Sequence, residues 1–560
     1  MLSSIHYKVQ TTSRAAVSPF TRWFSAAFQE PQNEHAGAVP GKRSNAFLYL
    51  VTSLLIFCIA PQTVRLLSLL RYSDMQVDTG IEGPNFYNIW RVMNHHPLYA
   101  DPWTPPFSVT LYNFGFYYFF GAVGRLLGIH DAGIMLFARM LSLAFALFGS
   151  YVMARFVMLL CGISKGPAAW AAVMFALIAW LGSNSTVWWS MSGRPDMPGC
   201  AFALLGCYLY ARRLNGSSWT AFLPAGASFA AAWLFKQSSI WTAVACGLYA
   251  VLVRRKWKEV LGLVLPGLCL LVLVKIVAPP VYWQNVVAAP TLDAFSIETV
   301  LHNTLEVVLP NLVYFAVPLL VLFHGKLRRA LCASDEPQGS AMRLMLFVCV
   351  VDIGLGIVAV GREGAGRNQF FEAMFSCAVL ASAVIISAFL RPGLHVESLR
   401  LIRVAIVVAL LALLPLPLAT LLRPTVDSGA LHWHLTWMNP SSYLQRKILV
   451  SDLKKYPLPL LTRDEVLSLP WNSSADAYPA PTTDGYWYEL ALRRGKLSGS
   501  WATEIAAHHF GTLVLSPDDS LVPAALAAGY QIKARYDSTV GEFGNHEKLL
   551  ILSIESGNTK

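Results

Sequence analysis

The sequence predicts an all-α polytopic membrane protein of about eleven transmembrane helices, with a small C-terminal α/β extracytoplasmic domain. Three observations lead there. Hydrophobic residues make up 55% of the 560-residue chain and charged residues only 13%, about half the ~25% charged content of ordinary soluble proteins. Apolar runs recur at lengths close to the ~20 residues that cross ~30 Å of hydrocarbon. The runs shorten after residue 422, where Pro, Asp, Ser and Gly become frequent. A mean hydropathy of +0.48 excludes disorder, a coiled coil and a conventional cytosolic enzyme.

Residues 1–45 are polar, carry Arg14, Arg22, Lys42 and Arg43, and lack a short apolar run followed by a cleavage site. They read as a cytoplasmic tail rather than a signal peptide. The first span is expected at 46–69. Later spans are expected at 134–160, 167–189, 197–213, 219–235, 238–253, 259–278, 306–324, 341–360, 368–390 and 402–421. Residues 107–128 are apolar enough to span, but counting them would reverse the sidedness of every later loop. Their aromatic run Tyr112–Phe120 suits a membrane-surface or re-entrant helix within a first outer loop of 70–133.

Charge sets the orientation. Residues 1–422 hold 30 Lys and Arg against 18 Asp and Glu, whereas residues 423–560 hold 13 against 14. The formal charge of +11 therefore sits between apolar segments. Lys165, Arg212–Arg213, Arg254–Lys258, Lys326–Arg329 and Arg391–Arg403 fall in alternate connections, which the positive-inside rule makes cytoplasmic. The tail 423–560 then lies outside the cytoplasm. Without a basic stripe interleaved with aromatics, nucleic-acid binding is excluded.

All nine cysteines precede residue 423, mostly in apolar segments. They form no CxxC or Cys/His cluster, so they read as small buried hydrophobes. In the C-terminal part, Ser500–His509 and Leu521–Ala528 read as helices, and Thr512–Ser516 and Lys548–Ile554 as strands.

The outer connections hold the residues able to do chemistry. Asp74, Asp78 and Glu82 lie just beyond the first span. A carboxylate there can take a proton from an attacking hydroxyl, and three close acids equally suit a hydrated loop or a weak cation site. His95-His96-Pro-Leu-Tyr99 follows; paired histidines suit a metal, a phosphate or a purely structural role. Arg194 and Asp196 stand in the second outer connection, where they cap two spans, pair with each other or line a cleft. Lys236, Arg362 and Arg367 are basic residues on the side where positive charge is disfavoured, and an anionic headgroup would account for them. Salt bridges to Glu363 and Glu372 are the plainer account of the two arginines. Asp352 lies inside an apolar span with no partner evident in the sequence.

Asp78-x-x-x-Glu82-Gly, His96-Pro-Leu-Tyr99 and Pro105-Pro106 together resemble the first outer loop of GT-C glycosyltransferases. These polyprenyl-phosphate-sugar-dependent membrane enzymes include protein mannosyltransferases and the aminoarabinose transferase of lipid A. Arg139-Met-Leu-Ser142 is similar to the Arg-Leu-Pro-Ser run opening their second span, with Met and Leu in place of Leu and Pro. Gly193-Arg194-Pro195-Asp196 is similar to their second outer loop, and Phe235-Lys236-Gln237 and Gly361–Glu372 to bacterial members. The likeness covers about residues 46–390.

The resemblance implies transfer of a sugar from a polyprenyl (or dolichyl) monophosphate to a hydroxyl of a glycan, lipid or protein acceptor, with inversion at the anomeric carbon. By position Asp78 matches the catalytic acid, Glu82 its helper, and Asp74 is a second candidate base. Lys236, Arg362 and Arg367 are the phosphate candidates; Arg194 and Asp196, which order the cleft, and His96 and Tyr99 of the matched loop are further substrate-binding candidates. No cofactor is implied. There is no convincing Asp-x-Asp, and a bound divalent cation is left open. The setting implied is an integral protein of the bacterial inner (plasma) membrane. A lipid-linked sugar flippase or other transporter is the main rival, and would favour internal repeats or several membrane-buried charges. A polysaccharide polymerase or ligase and a non-catalytic scaffold are the others.

Overall fold

A computed structural model describes residues 41–71, 73, 82–101, 110, 112–183, 185–187, 189–288, 295–332, 337–362, 366–390, 422–427, 430–435, 440–462, 467, 469–471, 500–538 and 547–554. Residues 1–40 of the expected tail 1–45, the expected span 402–421 and the acids Asp74 and Asp78 lie outside the described residues.

The chain is predominantly helical, with a small C-terminal strand region. Among the described residues, five helices are long and apolar enough to cross a membrane: Phe47–Arg71, Gly133–Cys161, Trp257–Val277, Pro337–Val360 and Arg367–Phe389. They make the chain an integral membrane protein. Shorter apolar helical stretches occupy Pro167–Gly182, Trp219–Phe235 and Trp241–Arg254.

In chain order the membrane region comprises α1 (Gly41–Arg71), α2 (Glu82–Met93), α3 (Phe114–Leu126), α4 (Gly133–Cys161), α5 (Pro167–Leu177), α6 (Asp196–Arg212), α7 (Leu223–Phe235), α8 (Trp241–Leu248), α9 (Trp257–Val277), α10 (Ile297–Val308), α11 (Leu312–Phe323), α12 (Gly325–Cys332), α13 (Pro337–Val360) and α14 (Phe371–Leu390). The aromatic segment of the first loop forms α3. At 13 residues it is about 20 Å long, short of the ~30 Å of hydrocarbon.

Two expected spans differ. The stretch 306–324 is not one rod: α10 and α11 meet at 98°. Pro310 lacks the amide a continuous helix needs. The side chain of Asn311 then donates to the Val307 carbonyl at 2.8 Å and holds the corner. The stretch 167–189 leaves its helix at Gly182 and continues through a turn bonded by Ser183 and Thr186 to a tight turn at Trp189–Met191.

Helix α14 is the centre of the core, with its whole span buried. It packs on α4, α6, α11 and α13, and Phe375 stacks on Trp180 at 3.8 Å between ring centroids. Helix α9 is the least buried span and turns Leu268, Leu271, Leu273 and Ile276 outward, as a lipid-facing helix does. The nine cysteines are unbridged, and all but Cys269 are buried.

The C-terminal region contains a hairpin, β1 (Leu422–Asp427) with β2 (Ala430–Leu435), then α15 (Pro440–Leu453) and a four-stranded sheet. Sheet order is β3 (Leu460–Thr462), β4 (Thr512–Leu515), β6 (Glu547–Ser553), β5 (Gln531–Ser538), with β3–β4 parallel and the other pairs antiparallel. Helices α16 (Trp501–Ala506) and α17 (Val522–Ala527) contribute to a core with Phe510, Leu513, Leu515, Leu550 and Leu552. The sequence pattern anticipated α16, β4, α17 and β6. It missed β5, whose Lys533, Arg535 and Asp537 dilute the apolar alternation.

Candidate functional site

Helix α6 separates two polar ends of the bundle. At its C-terminal end the basic connections meet. Tyr210 donates to Glu259 at 2.6 Å, and Arg254 pairs with the same carboxylate at 3.2 Å. At its N-terminal end lies the candidate site.

The site is organised by the connection Ser190–Asp196. On one side this segment is tied to the start of the first loop. Arg139 on α4 grips Glu82 on α2 through two parallel bonds, Nε to Oε1 at 2.9 Å and Nη2 to Oε2 at 2.8 Å. Both side chains are wholly buried. The Gly193 amide donates to Glu82 Oε1 at 2.9 Å, and Asn85 Nδ2 donates to the Gly193 carbonyl at 2.9 Å. Arg139 Nη1 also donates to the Ser73 carbonyl at 3.0 Å, so the same guanidinium fixes both flanks of the segment that carries Asp74 and Asp78. Gly193 has no substitute here, because a Cβ would lie 2.3 Å from the Phe86 ring.

On the other side, Asp196 Oδ1 accepts from Lys236 Nζ at 2.5 Å and from Asn368 Nδ2 at 2.8 Å. The isolated lysine that the sequence left for an anionic headgroup is thus paired in the folded protein, with 4% of its side chain exposed. A buried lysine with no counter-charge would cost several kcal/mol, and Asp196 supplies the compensation. Arg194 and Asp196 face different neighbours: Arg194 the Trp189 ring, Asp196 the Lys236 and Asn368 side chains.

Two arginines converge on one indole. The Arg367 guanidinium lies 4.8 Å and that of Arg194 5.5 Å from the Trp189 ring centroid. Phe371 meets the same ring edge-on at 5.2 Å. A cation over an indole face is held there by the ring quadrupole, so Trp189 gathers the two guanidinium groups on one support. Beneath this layer Glu372 accepts from the Thr242 amide at 2.8 Å. Asp352 accepts from the hydroxyls of Thr242 at 3.1 Å and Ser376 at 2.7 Å. These are the partners of Asp352 that the sequence did not reveal.

The structure therefore brings together Glu82, Arg194, Asp196, Lys236 and Arg367. Arg362 stands apart: it is exposed and bridges by its backbone to Phe295. His96 and Tyr99 belong to the first loop's own packing. His96 stacks on Trp90 at 5.3 Å, and burial and the Arg91 charge hold it below the usual histidine pKa. The Tyr99 hydroxyl donates to the Tyr112 carbonyl at 2.9 Å, with its ring edge-on to Tyr282. Among the described residues no three His, Cys, Asp or Glu side chains gather as metal ligands.

Trp189, Asn368 and Asn85 were missed as site residues. Asn368 stood beside Arg367 in a motif read only for its charges, and Trp189 looked like the end of an apolar span.

The chain is similar to the crystal structures of ArnT from Cupriavidus metallidurans in the apo state and bound to undecaprenyl phosphate. Each is 12% identical with a TM-score of 0.49, over 89% and 90% of this chain and 98% and 99% of those chains. It is also similar to the archaeal oligosaccharyltransferase AglB from Archaeoglobus fulgidus, in complex with an inhibitory peptide and a dolichol-phosphate. That likeness has 12% identity and a TM-score of 0.45, over 84% of this chain and 69% of that one. No curated protein matches the sequence. Residues 114–283, which run from the start of α3 through Lys236 to just beyond the end of α9, match the family described as Dolichyl-phosphate-mannose-protein mannosyltransferase, a family of membrane glycosyltransferases.

Proposed function

We propose that this chain moves a sugar from a polyprenyl or dolichyl monophosphate to an acceptor hydroxyl at the non-cytosolic face of a membrane. One observation carries the reading beyond the family match. Arg139, Glu82 and Gly193 tie the acidic first loop to the connection that holds Arg194 and Asp196. This bonding supports a reading in which a base from the first loop and the cations Arg194 and Arg367 act on the same donor.

In this reading Asp78 takes the proton of the acceptor hydroxyl. The oxygen attacks the anomeric carbon from the side opposite the phosphate, the bond from that carbon to the phosphate oxygen breaks, and the configuration inverts. The electron pair leaves on the lipid phosphate, and the proton passes from Asp78 to water. Arg367 and Arg194 face the phosphate and stabilise the charge that develops as it leaves. Lys236 acts through Asp196, fixing Asn368 and the turn that carries Arg367. Glu82 holds the loop rather than touching substrate, because both its oxygens are engaged in the buried pair. The C-terminal region is assigned to the non-cytosolic side, which gives it access to an acceptor.

The test is Asp78→Asn, assayed for release of lipid monophosphate from a polyprenyl-phosphate sugar. A loss of at least a hundredfold in kcat, with the donor still bound, supports the assignment. Full activity in this variant removes the base.

A further inference from the structure

Helix α10 partitions its surface three ways. Asn303 and Val307 are buried at 7% and 0% exposure, and Asn303 Nδ2 donates to the Val360 carbonyl at 3.0 Å, so this side lies against α13. A second stripe holds Ile297, Leu301, Leu305 and Leu309, exposed at 72%, 58%, 49% and 61%. A third holds Glu298, His302 and Glu306, also exposed; His302 and Glu306 approach to 3.7 Å. Residues four apart stack along a helix, and neighbouring residues differ by about 100°. The apolar and polar stripes therefore run side by side along a helix whose remaining side is held by protein.

Direction is fixed independently. Helix α11 continues from α10 after a bend of 98° and is apolar throughout, with Leu312, Leu319 and Phe323 exposed. The corner is pinned by Asn311, which accepts from Ser183 Oγ at 2.7 Å and donates to Ser185 Oγ at 2.9 Å. If α11 runs into the bilayer, α10 runs along its surface.

We propose that α10 is an interfacial helix. Its Ile297–Leu309 stripe is sunk in the acyl boundary of the leaflet opposite Lys326–Arg329, and its Glu298–Glu306 stripe faces water. Continuity with α11 selects lipid as the occupant, and the adjacent charged stripe matches the geometry of a helix lying in the plane of an interface. Its N-terminal end is bonded to the arginine-bearing connection: the Ser296 amide donates to the Gly361 carbonyl at 2.8 Å, and Phe295 bridges to Arg362. The helix thereby sets that connection at headgroup depth, where a lipid phosphate lies. This last step deepens the functional proposal; the membrane placement of α10 stands without it.

The experiment uses the full chain in liposomes, in a Cys269→Ser background, since the other native cysteines are buried. Single cysteines L301C, L305C, H302C and E306C are labelled with a small fluorophore. Labels at 301 and 305 should be quenched at least threefold more by nitroxide lipids than labels at 302 and 306, with the order reversed for aqueous iodide. Equal iodide access at all four positions overturns the proposal. So does shielding of 301 and 305 from both quenchers, which would mean that protein, or a second copy of the chain, covers the stripe. Neither readout depends on sugar transfer.

Discussion

Arg139 and Glu82, 57 positions apart in sequence, form a bidentate ion pair with no solvent exposure, and the same arginine holds the Ser73 carbonyl. The pair is the hinge pin of the first loop. Breaking a buried pair by removing one partner costs about 3–5 kcal/mol, whereas replacing both by apolar residues is often neutral. Glu82→Gln or Arg139→Met alone should lower the melting temperature and abolish activity. The double replacement Glu82→Leu/Arg139→Met should recover much of the melting temperature but not the activity, because the Gly193 and Ser73 contacts stay lost. Thermal unfolding in detergent, read beside turnover, checks both arms.

Asp196 and Lys236 behave as a second such unit. Asp196→Asn leaves a buried ammonium without its counter-charge and should destabilise by about 3 kcal/mol or more. Asn368→Ala removes a single bond to a carboxylate and should cost about 1.5–3 kcal/mol. A melting temperature unmoved by either change would show that the pairing at 2.5 Å does not persist in solution.

Trp189 orders two guanidinium groups. Each cation–π contact is worth about 0.5–1 kcal/mol, more when desolvated, so Trp189→Leu should raise the donor KM about tenfold. The kcat at saturating donor should fall much less, the pattern of lost binding rather than lost chemistry. Trp189→Phe should recover part of the affinity. Arg367→Ala should raise the donor KM more than Arg362→Ala, since Arg367 lies over the Trp189 ring and Arg362 stands apart from it.

His96 gives a pH signature. Its folded pKa lies below the unfolded value of ~6.5, so the folded state binds fewer protons than the unfolded state. The stability this contributes is present above ~6.5 and is lost as pH falls through the folded value. Melting temperature should therefore decline on acidification below about pH 6.5, and His96→Phe, which preserves a ring against Trp90, should flatten that part of the curve. A profile unchanged by the substitution would assign the slope to other groups.

The apolar segments were legible because hydrocarbon thickness imposes a length on each, and little else has to be known. The break at Pro310 was also written in the chain, but the apolar residues on both sides concealed it. Site residues were legible by kind and by loop. Their pairings were not: Asp196 meets Lys236 across 40 positions and Asn368 across 172. Isolated charges between apolar segments signalled a reason for being there, and for Lys236 that reason is a neighbouring carboxylate. Trp189 carries no charge, so its part in gathering Arg194 and Arg367 left no trace in a reading based on charge.

If the acidic loop and the arginine cluster act together on a sugar carried by a lipid monophosphate, the chain must discriminate among donors by their phosphate linkage. The direct measurement gives the purified protein three donors in parallel: a polyprenyl-monophosphate sugar, a polyprenyl-diphosphate sugar and a nucleotide sugar. Turnover of the first is expected, with one lipid monophosphate released per sugar transferred. Turnover of either other donor in its place, or lipid movement across the bilayer without cleavage of the sugar–phosphate bond, would contradict it.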